Sequence, residues 1–262
     1  MTDVGVWVYA VCIDFDGALL AGARGVDGEQ VRLVRTADLA AVVGSVDLAT
    51  FGEDGLRRSL NDIQELERIA RAHHGVVGIT AQAGPVAPTR LATVYGDDAR
   101  VRDVLTAHSE EFRAALDHIS GRHEWGVKAF VRDRPVVADS APTVSTSGSA
   151  YLRQRKAALT AKNASRQAAV GAAEAIHVRV ARLAVAAREH RPQDPQLAGD
   201  NRVMLLNGAY LVDDEAADRF RVTVSAFADE QTELDLQLTG PWPPYSFAIV
   251  NADEPVNAEE PP

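Results

Sequence analysis

The sequence has little of several residue types, and each shortage excludes a class of protein. It contains one cysteine, Cys12, in 262 residues, which excludes an intramolecular disulfide and a cysteine-rich zinc site. No apolar run approaches the roughly 18 to 20 residues that span a membrane. The first residues, Met1 to Val4, include an acid where a signal peptide has bases. We therefore expect a cytosolic chain without a membrane span.

Basic residues are in the minority. Lysine and arginine number 27 against 37 aspartates and glutamates, which gives a net charge of -10. Nucleic acids and anionic membranes favour basic surfaces, so we expect neither as a partner. An apolar fraction of 46% and a charged fraction of 24% are typical of a globular protein, and the length suits one large or two ordinary domains.

The few bases are concentrated in one segment. Residues 148–191 carry nine bases and two acids, a net charge of +7, so the rest of the chain carries -17. This segment is rich in alanine and free of proline up to residue 191, and it predicts one helix of about 40 residues or two helices joined near Gly171. Arg155, Lys162 and Arg166 have helical spacing, with Leu159 between them. Two interpretations remain open: a docking surface for an acidic partner or another copy, and a solvated face whose bases pair with acids of this chain.

Helical and strand patterns are mixed without regular alternation, which predicts an α+β fold. In the first half, strands are predicted at 4–13, 31–34, 39–46 and 76–79, and helices at 55–75 and 97–121. In the second half, strands at 125–131, 203–212 and 234–238 with helices between them predict a small ferredoxin-like sheet. We expect an N-terminal domain at 1–123, a C-terminal domain at 124–250 and a disordered acidic tail at 251–262.

An unusual segment follows the last predicted strand. Residues 241–247 contain three prolines and three aromatics, Trp242, Tyr245 and Phe247. Proline excludes a central strand, so the segment predicts a stiff extended ribbon that displays large rings. The ribbon is either a cap that folds over the core of its domain or an apolar surface that docks a hydrophobic protein.

One pattern suggests an enzyme. Asp14-Phe15-Asp16-Gly17 after a strand is similar to the opening motif of the magnesium-dependent haloacid-dehalogenase phosphatases, and Asp213-Asp214 supplies a second acidic pair. That motif continues with Thr, where this chain has Ala18. The alternative is an acidic turn after a buried strand.

The histidines also bear on metal binding. His73 and His74 are adjacent, so on a helix they point about 100° apart and are poorly placed to share a metal. We expect these two, and His108, His118 and His123, to be solvated or capping residues.

Several motifs together resemble the gas vesicle protein family GvpL/GvpF from about Val6 to Phe247. The motifs are Val6-Trp7-Val8-Tyr9-Ala10, His73, the loop from Gly84 to Arg90, Thr93-Val94-Tyr95, Glu124-Trp125-Gly126-Val127-Lys128, Tyr151-Leu152 with Arg155-Lys156, Asn207 to Val212, and Leu238 to Phe247. The last block is the most specific. One departure lies in the loop, where the family usually has Pro-Leu-Arg-Phe-Gly-Thr and this chain has Pro88-Thr89-Arg90-Leu91-Ala92-Thr93.

The resemblance implies an accessory or minor structural protein of gas vesicle assembly, located at the gas vesicle or in the cytoplasm. It implies two α+β domains, the C-terminal one modified ferredoxin-like, with no catalytic residue, no metal and no cofactor. The implied partners are the hydrophobic shell subunit, other gas vesicle accessory proteins and, as a further expectation, a second copy. Candidate contacts are the helix positions Arg155, Leu159, Lys162 and Arg166 and the ribbon side chains Trp242, Tyr245 and Phe247. The alternative function is the phosphatase based on Asp14 and Asp16.

Overall fold

The computed structural model describes residues 3–13, 15–59, 62–132, 148–192 and 202–248. Within these ranges the chain groups into two compact units. The first comprises residues 3–124 together with 241–248, and the second comprises Trp125–Gly240. The segment 241–248, expected in the C-terminal domain, thus groups with the first unit. The predicted boundaries at 123 and 250 stay predictions, and the acidic tail lies outside the described residues.

The first unit is built on one antiparallel sheet. Its strands are β1 (Val4–Cys12), β2 (Arg32–Arg35), β3 (Ala40–Asp47), β4 (Val86–Pro88) and β5 (Val94–Tyr95). The order is β2-β3-β1-β4, and β5 also pairs with β1. Pairing of β1 with β3 runs from Val4 opposite Asp47 to Cys12 opposite Ala40, with an irregularity between Val8 and Ala10. The β-branched run predicted this central strand correctly.

Helices cover the sheet of the first unit. They are α1 (Leu48–Phe51), α2 (Glu53–Ser59), α3 (Ile63–Ala81), α4 (Asp98–Ala107) and α5 (Ser109–Ile119). Trp7 and Tyr9 share one core cluster with buried side chains of α3. Alternate residues of a strand face opposite sides, so Val6 and Val8 face away from α3, and they too are buried. With α4 and α5 against strands of the same sheet, the unit has three layers.

Three predictions for the first unit are wrong. The single helix predicted for 55–75 is two helices, because α2 ends at Ser59 and the side chain of Asp62 caps the start of α3. Residues 76–79 form the C-terminal part of α3, because Val76, Val77 and Thr80 continue the stripe that α3 buries. The packing of this helical face against the sheet therefore outweighs the strand preference of the valines. The single helix predicted for 97–121 is two helices that meet at His108.

The second unit has the element order β-α-β-β-α-β. It comprises most of β6 (Arg122–Val131), then α6 (Gly148–Ala181), β7 (Ala186–Glu189), β8 (Met204–Asp213), α7 (Ala217–Glu230) and β9 (Leu234–Trp242) up to Gly240. The strand order is β7-β8-β6-β9. The sheet buries Trp125, Val127, Leu206, Tyr210 and Leu234 in a cluster shared with α6 and α7.

The basic segment is helical over most of its length, but its end is not. The long helix expected over about 149–191 ends at Ala181, and residues 186–189 form β7, which pairs with Leu211 to Gly208 of β8. Backbone pairing with β8 explains the change, because nothing in the alanine-rich sequence of β7 favours a strand. The predicted mixture of helices and strands is confirmed.

Candidate partner-binding surfaces

The long helix α6 has a packed part and an exposed part. Towards its C-terminal end, Ala169, Ala173, Ile176 and Val180 are buried in the core of the second unit. Their spacing of four, three and four residues places them on one face of the helix. Earlier in the helix, every side chain described between residues 152 and 168 is exposed. The sequence predicts the helix, but only the structure shows how much of it the core leaves uncovered.

The predicted helix contacts lie in this exposed part. Arg155 and Arg166 are exposed, and Leu159 keeps 56% of its surface accessible to solvent. Lys162 lies in the same part of α6, and its side chain is outside the described residues. Within the described ranges no ion pair joins Arg155 or Arg166 to an acid. Among the described residues, these two bases therefore stand as exposed charges on the helix.

The second predicted surface, the segment 241–248, is called the C-terminal ribbon below. The ribbon begins with Pro241 and Trp242, the last two residues of β9. This strand lies at the edge of its sheet, where proline is tolerated because its missing N–H leaves no ladder hydrogen bond unmade. Trp242 is 43% exposed and its ring lies edge-on to His74, with the centroids 5.4 Å apart. Tyr245 packs against the core of the first unit, and its hydroxyl lies 3.3 Å from Nδ1 of His74. Phe247 is half-buried.

A carboxylate anchors the ribbon. Glu124 accepts two hydrogen bonds of 2.7 Å from Ser246, one from the backbone N–H and one from the hydroxyl. Burial, with the nearby charge of Glu124, raises the pKa of Tyr245 above its usual range. The ribbon thus caps the core of the first unit, and Trp242 is its most exposed ring.

Beneath the ribbon lies an aromatic cluster centred on His73. Nε1 of Trp7 donates a hydrogen bond of 3.0 Å to Nδ1 of His73, and the ring of Tyr9 lies 5.3 Å from that imidazole. His73 is only 3% exposed, so the prediction of a solvated or capping residue is wrong for it. Burial lowers the pKa of His73 to about 4, with the backbone of Thr89 acting in the opposite direction.

Several of the motifs that carry the family resemblance converge on this cluster. Thr89 donates from its hydroxyl to the carbonyl of Val8 over 2.6 Å and from its N–H to the carbonyl of Tyr9 over 3.0 Å. These contacts hold the loop after α3 against β1. No local pattern in the sequence indicates the roles of His73 and Glu124, because their partners are 66 and 122 residues away.

The predicted enzymatic residues have ordinary local roles where they are described. Asp14 lies outside the described residues. The Oδ1 atom of Asp16 accepts a hydrogen bond of 2.9 Å from the N–H of Ala18 and caps a short 3₁₀ helix over Gly17–Leu20. Asp213 and Asp214 lie at the start of a second 3₁₀ turn before α7. In the ranges given above, no three histidine, cysteine or acidic side chains are grouped so that they could hold a metal ion.

Among the helices in the ranges given above, none is both long and apolar enough to cross a bilayer.

Comparison with known proteins places these features in a family. Residues 5–249 match the family described as gas vesicle synthesis protein GvpL/GvpF. The chain is 39% identical over 260 residues to Gas vesicle protein L of Streptomyces sp. (strain CB03234), covering 98% of this chain and 97% of that protein. It is 28% identical over 280 residues to Gas vesicle protein L2 of Halobacterium salinarum, covering 97% and 95%.

Solved structures agree on the fold. The crystal structure of the gas vesicle protein GvpF from Anabaena sp. PCC7120 superposes with a TM-score of 0.63 at 18% identity, covering 94% of this chain and 97% of that one. The GvpF structure from Microcystis aeruginosa gives a TM-score of 0.63 at 17% identity, covering 94% and 99%.

Proposed function

Since the chain belongs to the GvpL/GvpF family of gas vesicle synthesis proteins, we propose that it acts in gas vesicle assembly by binding the hydrophobic shell subunit and other accessory proteins of the vesicle. The family is one of structural or assembly proteins of gas vesicles, and the proposed role involves no chemical step. We place its action at the gas vesicle and in the cytoplasm around it.

The exposed part of α6 is the observation that carries this proposal. A helix that leaves leucines and arginines uncovered over several turns gains little from folding, since most helical stability comes from packing one face. A protein partner that covers this part buries the leucines and pairs the bases. Arg155, Leu159, Lys162 and Arg166 are the proposed contacts on this helix.

The C-terminal ribbon is the second proposed contact. Trp242 offers a large, partly exposed ring, and such rings are enriched where proteins dock. Tyr245 and Phe247 belong to the same proposed surface, and the hydrogen bonds of Ser246 to Glu124 support it by holding the ribbon in one conformation. A preorganised segment loses less entropy on binding than a mobile one.

We also propose that the second unit is a modified ferredoxin-like domain. The element order β-α-β-β-α-β and the strand order β7-β8-β6-β9 support this, with α6 and α7 sharing one core with the sheet. The modification is the length of α6, which continues beyond the core.

A capture experiment tests the proposed function. The tagged full-length protein is co-expressed with each protein of a gas vesicle gene cluster, and co-purified proteins are quantified. We expect the shell subunit or another accessory protein to co-purify. Arg155→Glu should reduce capture, because it replaces an attractive charge with a repulsive one, and Trp242→Ala should reduce capture by removing the exposed ring.

Two matched substitutions serve as controls. Arg153→Glu makes the same charge change on the opposite side of α6, and Trp242→Phe retains an aromatic ring. Both should preserve capture. Full capture by both Arg155→Glu and Trp242→Ala would exclude these contacts, and a wild-type protein that captures none of the gas vesicle proteins would contradict the proposed function.

A further inference from the structure

The buried face of α6 continues into its exposed part. Ala169, Ala173, Ile176 and Val180 follow the alternating three- and four-residue spacing of a helix that packs along a seam. Continued towards the N-terminus, the same spacing falls on Arg166, Lys162, Leu159, Arg155 and Leu152. The same spacing therefore continues along the whole helix, rotating by about 20° per heptad from the buried face, and the core covers only its C-terminal part. The N-terminal part, positions 152, 155, 159, 162 and 166, is called the open seam below.

The open seam has the length of an ordinary helix–helix contact. The part of α6 before Ala169 begins at Gly148, and about 20 helical residues extend roughly 30 Å. Leu152 is 65% exposed and Leu159 is 56% exposed, although both occupy seam positions. Leucines exposed at this spacing are typical of a helix that lacks its partner.

The charge of this part of the helix selects the partner. Residues 148–173 contain five bases and no acid: Arg153, Arg155, Lys156, Lys162 and Arg166. Three of the five occupy seam positions, alternating with the leucines. The described acids of this chain form no ion pair with Arg155 or Arg166, which leaves both charges available to the carboxylates of a partner.

We propose that the open seam binds an acidic amphipathic helix of a partner protein, with leucine-type side chains against Leu152 and Leu159 and carboxylates facing positions 155, 162 and 166. The seam spacing of three and four residues is the one that a second helix matches. The proposal rests on the proposed function, in that the partner is a gas vesicle protein, and it adds the class of segment that is recognised.

Other occupants fit less well. A second copy of α6 would set bases against bases. A membrane surface needs a broad apolar face, and the seam offers two leucines separated by cations. Nucleic acid would meet a protein with a net charge of -10. Each of these becomes an outcome of the test.

The test uses the full-length protein and four probes. The first probe is a helical peptide of three heptads. Each heptad has two positions that face the open seam, and these carry one leucine and one glutamate. The second probe is the same peptide with lysine in place of each glutamate. Phosphatidylserine vesicles and a DNA duplex are the third and fourth. Binding is measured by fluorescence anisotropy for wild type, for the double variant Arg155→Glu/Arg166→Glu and for the control Arg153→Glu, with helicity checked by circular dichroism.

We expect wild type and the control to bind the acidic peptide in preference to the other probes, and the double variant to bind it about tenfold more weakly or worse. The double variant should instead prefer the lysine peptide. Equal binding of both peptides, unchanged binding by the double variant, or preference for vesicles or DNA would overturn the proposal. Unreduced capture of gas vesicle proteins by the double variant would overturn the open seam alone, whereas peptide binding by a protein that captures no gas vesicle protein would contradict only the proposed function.

Discussion

The buried histidine of the first unit should make that unit sensitive to acid. His73 accepts a hydrogen bond from Trp7 at Nδ1, so its proton is on Nε2, and in the described chain Nε2 makes no hydrogen bond of ordinary geometry. An imidazolium at this position would lose the bond to Trp7 and carry an unsolvated charge. The folded protein therefore resists protonation of His73 until the pH falls to about 4.

The direction and size of the effect follow from the two pKa values. Above pH 6.5, His73 is neutral in the folded and the unfolded chain, and its contribution to stability is fully present. As the pH falls from 6.5 towards 4, the unfolded chain binds a proton that the folded chain does not, so stability is lost. A pKa lowered by about 2.5 corresponds to a loss of about 3 kcal/mol across this interval.

The substitution His73→Asn isolates this contribution, because its amide oxygen can still accept from Trp7 but does not titrate. The free energy of unfolding of the first unit is measured by urea titration with hydrogen exchange of β1 peptides at pH 7 and pH 4. The variant should be less stable than wild type at pH 7 but should lose about 3 kcal/mol less between the two pH values.

His118→Asn makes the same substitution at an exposed position and serves as a matched control. For each variant, the change in the free energy of unfolding between pH 7 and pH 4 is compared with that of wild type. The contributions of the other titratable groups are common to both proteins and cancel. Equal losses for wild type and His73→Asn between pH 7 and pH 4 would refute the account of the buried imidazole.

Three further substitutions test other parts of the fold. Ala92 has φ +67°, which strains a residue with a Cβ atom, so Ala92→Gly should raise the free energy of unfolding of the first unit by about 0.5–1 kcal/mol in urea titration. A lower free energy of unfolding would show that the backbone at Ala92 is not strained. Glu124→Ala removes both acceptors of Ser246 and should cost about 1–3 kcal/mol, seen as faster hydrogen exchange at 243–248; unchanged exchange would show that this anchor is dispensable. In Gly208→Ala the new methyl would lie 2.4 Å from the hydroxyl oxygen of Tyr210. The free energy of unfolding should therefore fall by about 1–3 kcal/mol, seen as a lower Tm, and an unchanged Tm would argue against this close packing.

The positive φ of Ala92 lies at a position where the chain departs from the usual family loop. The family usually has glycine at this position, and glycine adopts positive φ without strain. Ala92 has φ +67° in this chain, a conformation that strains an alanine and not a glycine. The sequence identifies the departure, but only the backbone angle shows its consequence.

Local patterns predicted elements where one residue preference dominates. The β-branched run of β1 and the alanine-rich start of α6 were predictable, because each agrees with its final environment. Val76 and Val77 were not, since their strand preference is overridden by packing of α3 on the sheet. The strand β7 was not predictable either, because only pairing with β8 distinguishes it from the helix before it.

The two candidate partner-binding surfaces also differ in how far the sequence alone predicts them. Charge and spacing along α6 predict Arg155, Leu159 and Arg166 as contacts from sequence alone, since they lie within about three turns of one helix. The capping role of the C-terminal ribbon depends on His74 and Glu124, which are 171 and 122 residues from their partners Tyr245 and Ser246. Contacts at such separations leave no periodic signal in a single sequence.

Gas vesicle formation in living cells tests the central claim, that this protein supports vesicle assembly through contacts made by the open seam. A host carrying a complete gas vesicle gene cluster is deprived of this gene and complemented with wild type, Arg155→Glu/Arg166→Glu or Arg153→Glu, and pressure-sensitive light scattering measures intact vesicles. We predict that wild type and Arg153→Glu restore the vesicles and that the double variant does not. Equal vesicle yield without the gene, or full restoration by the double variant at equal protein levels, would contradict the account.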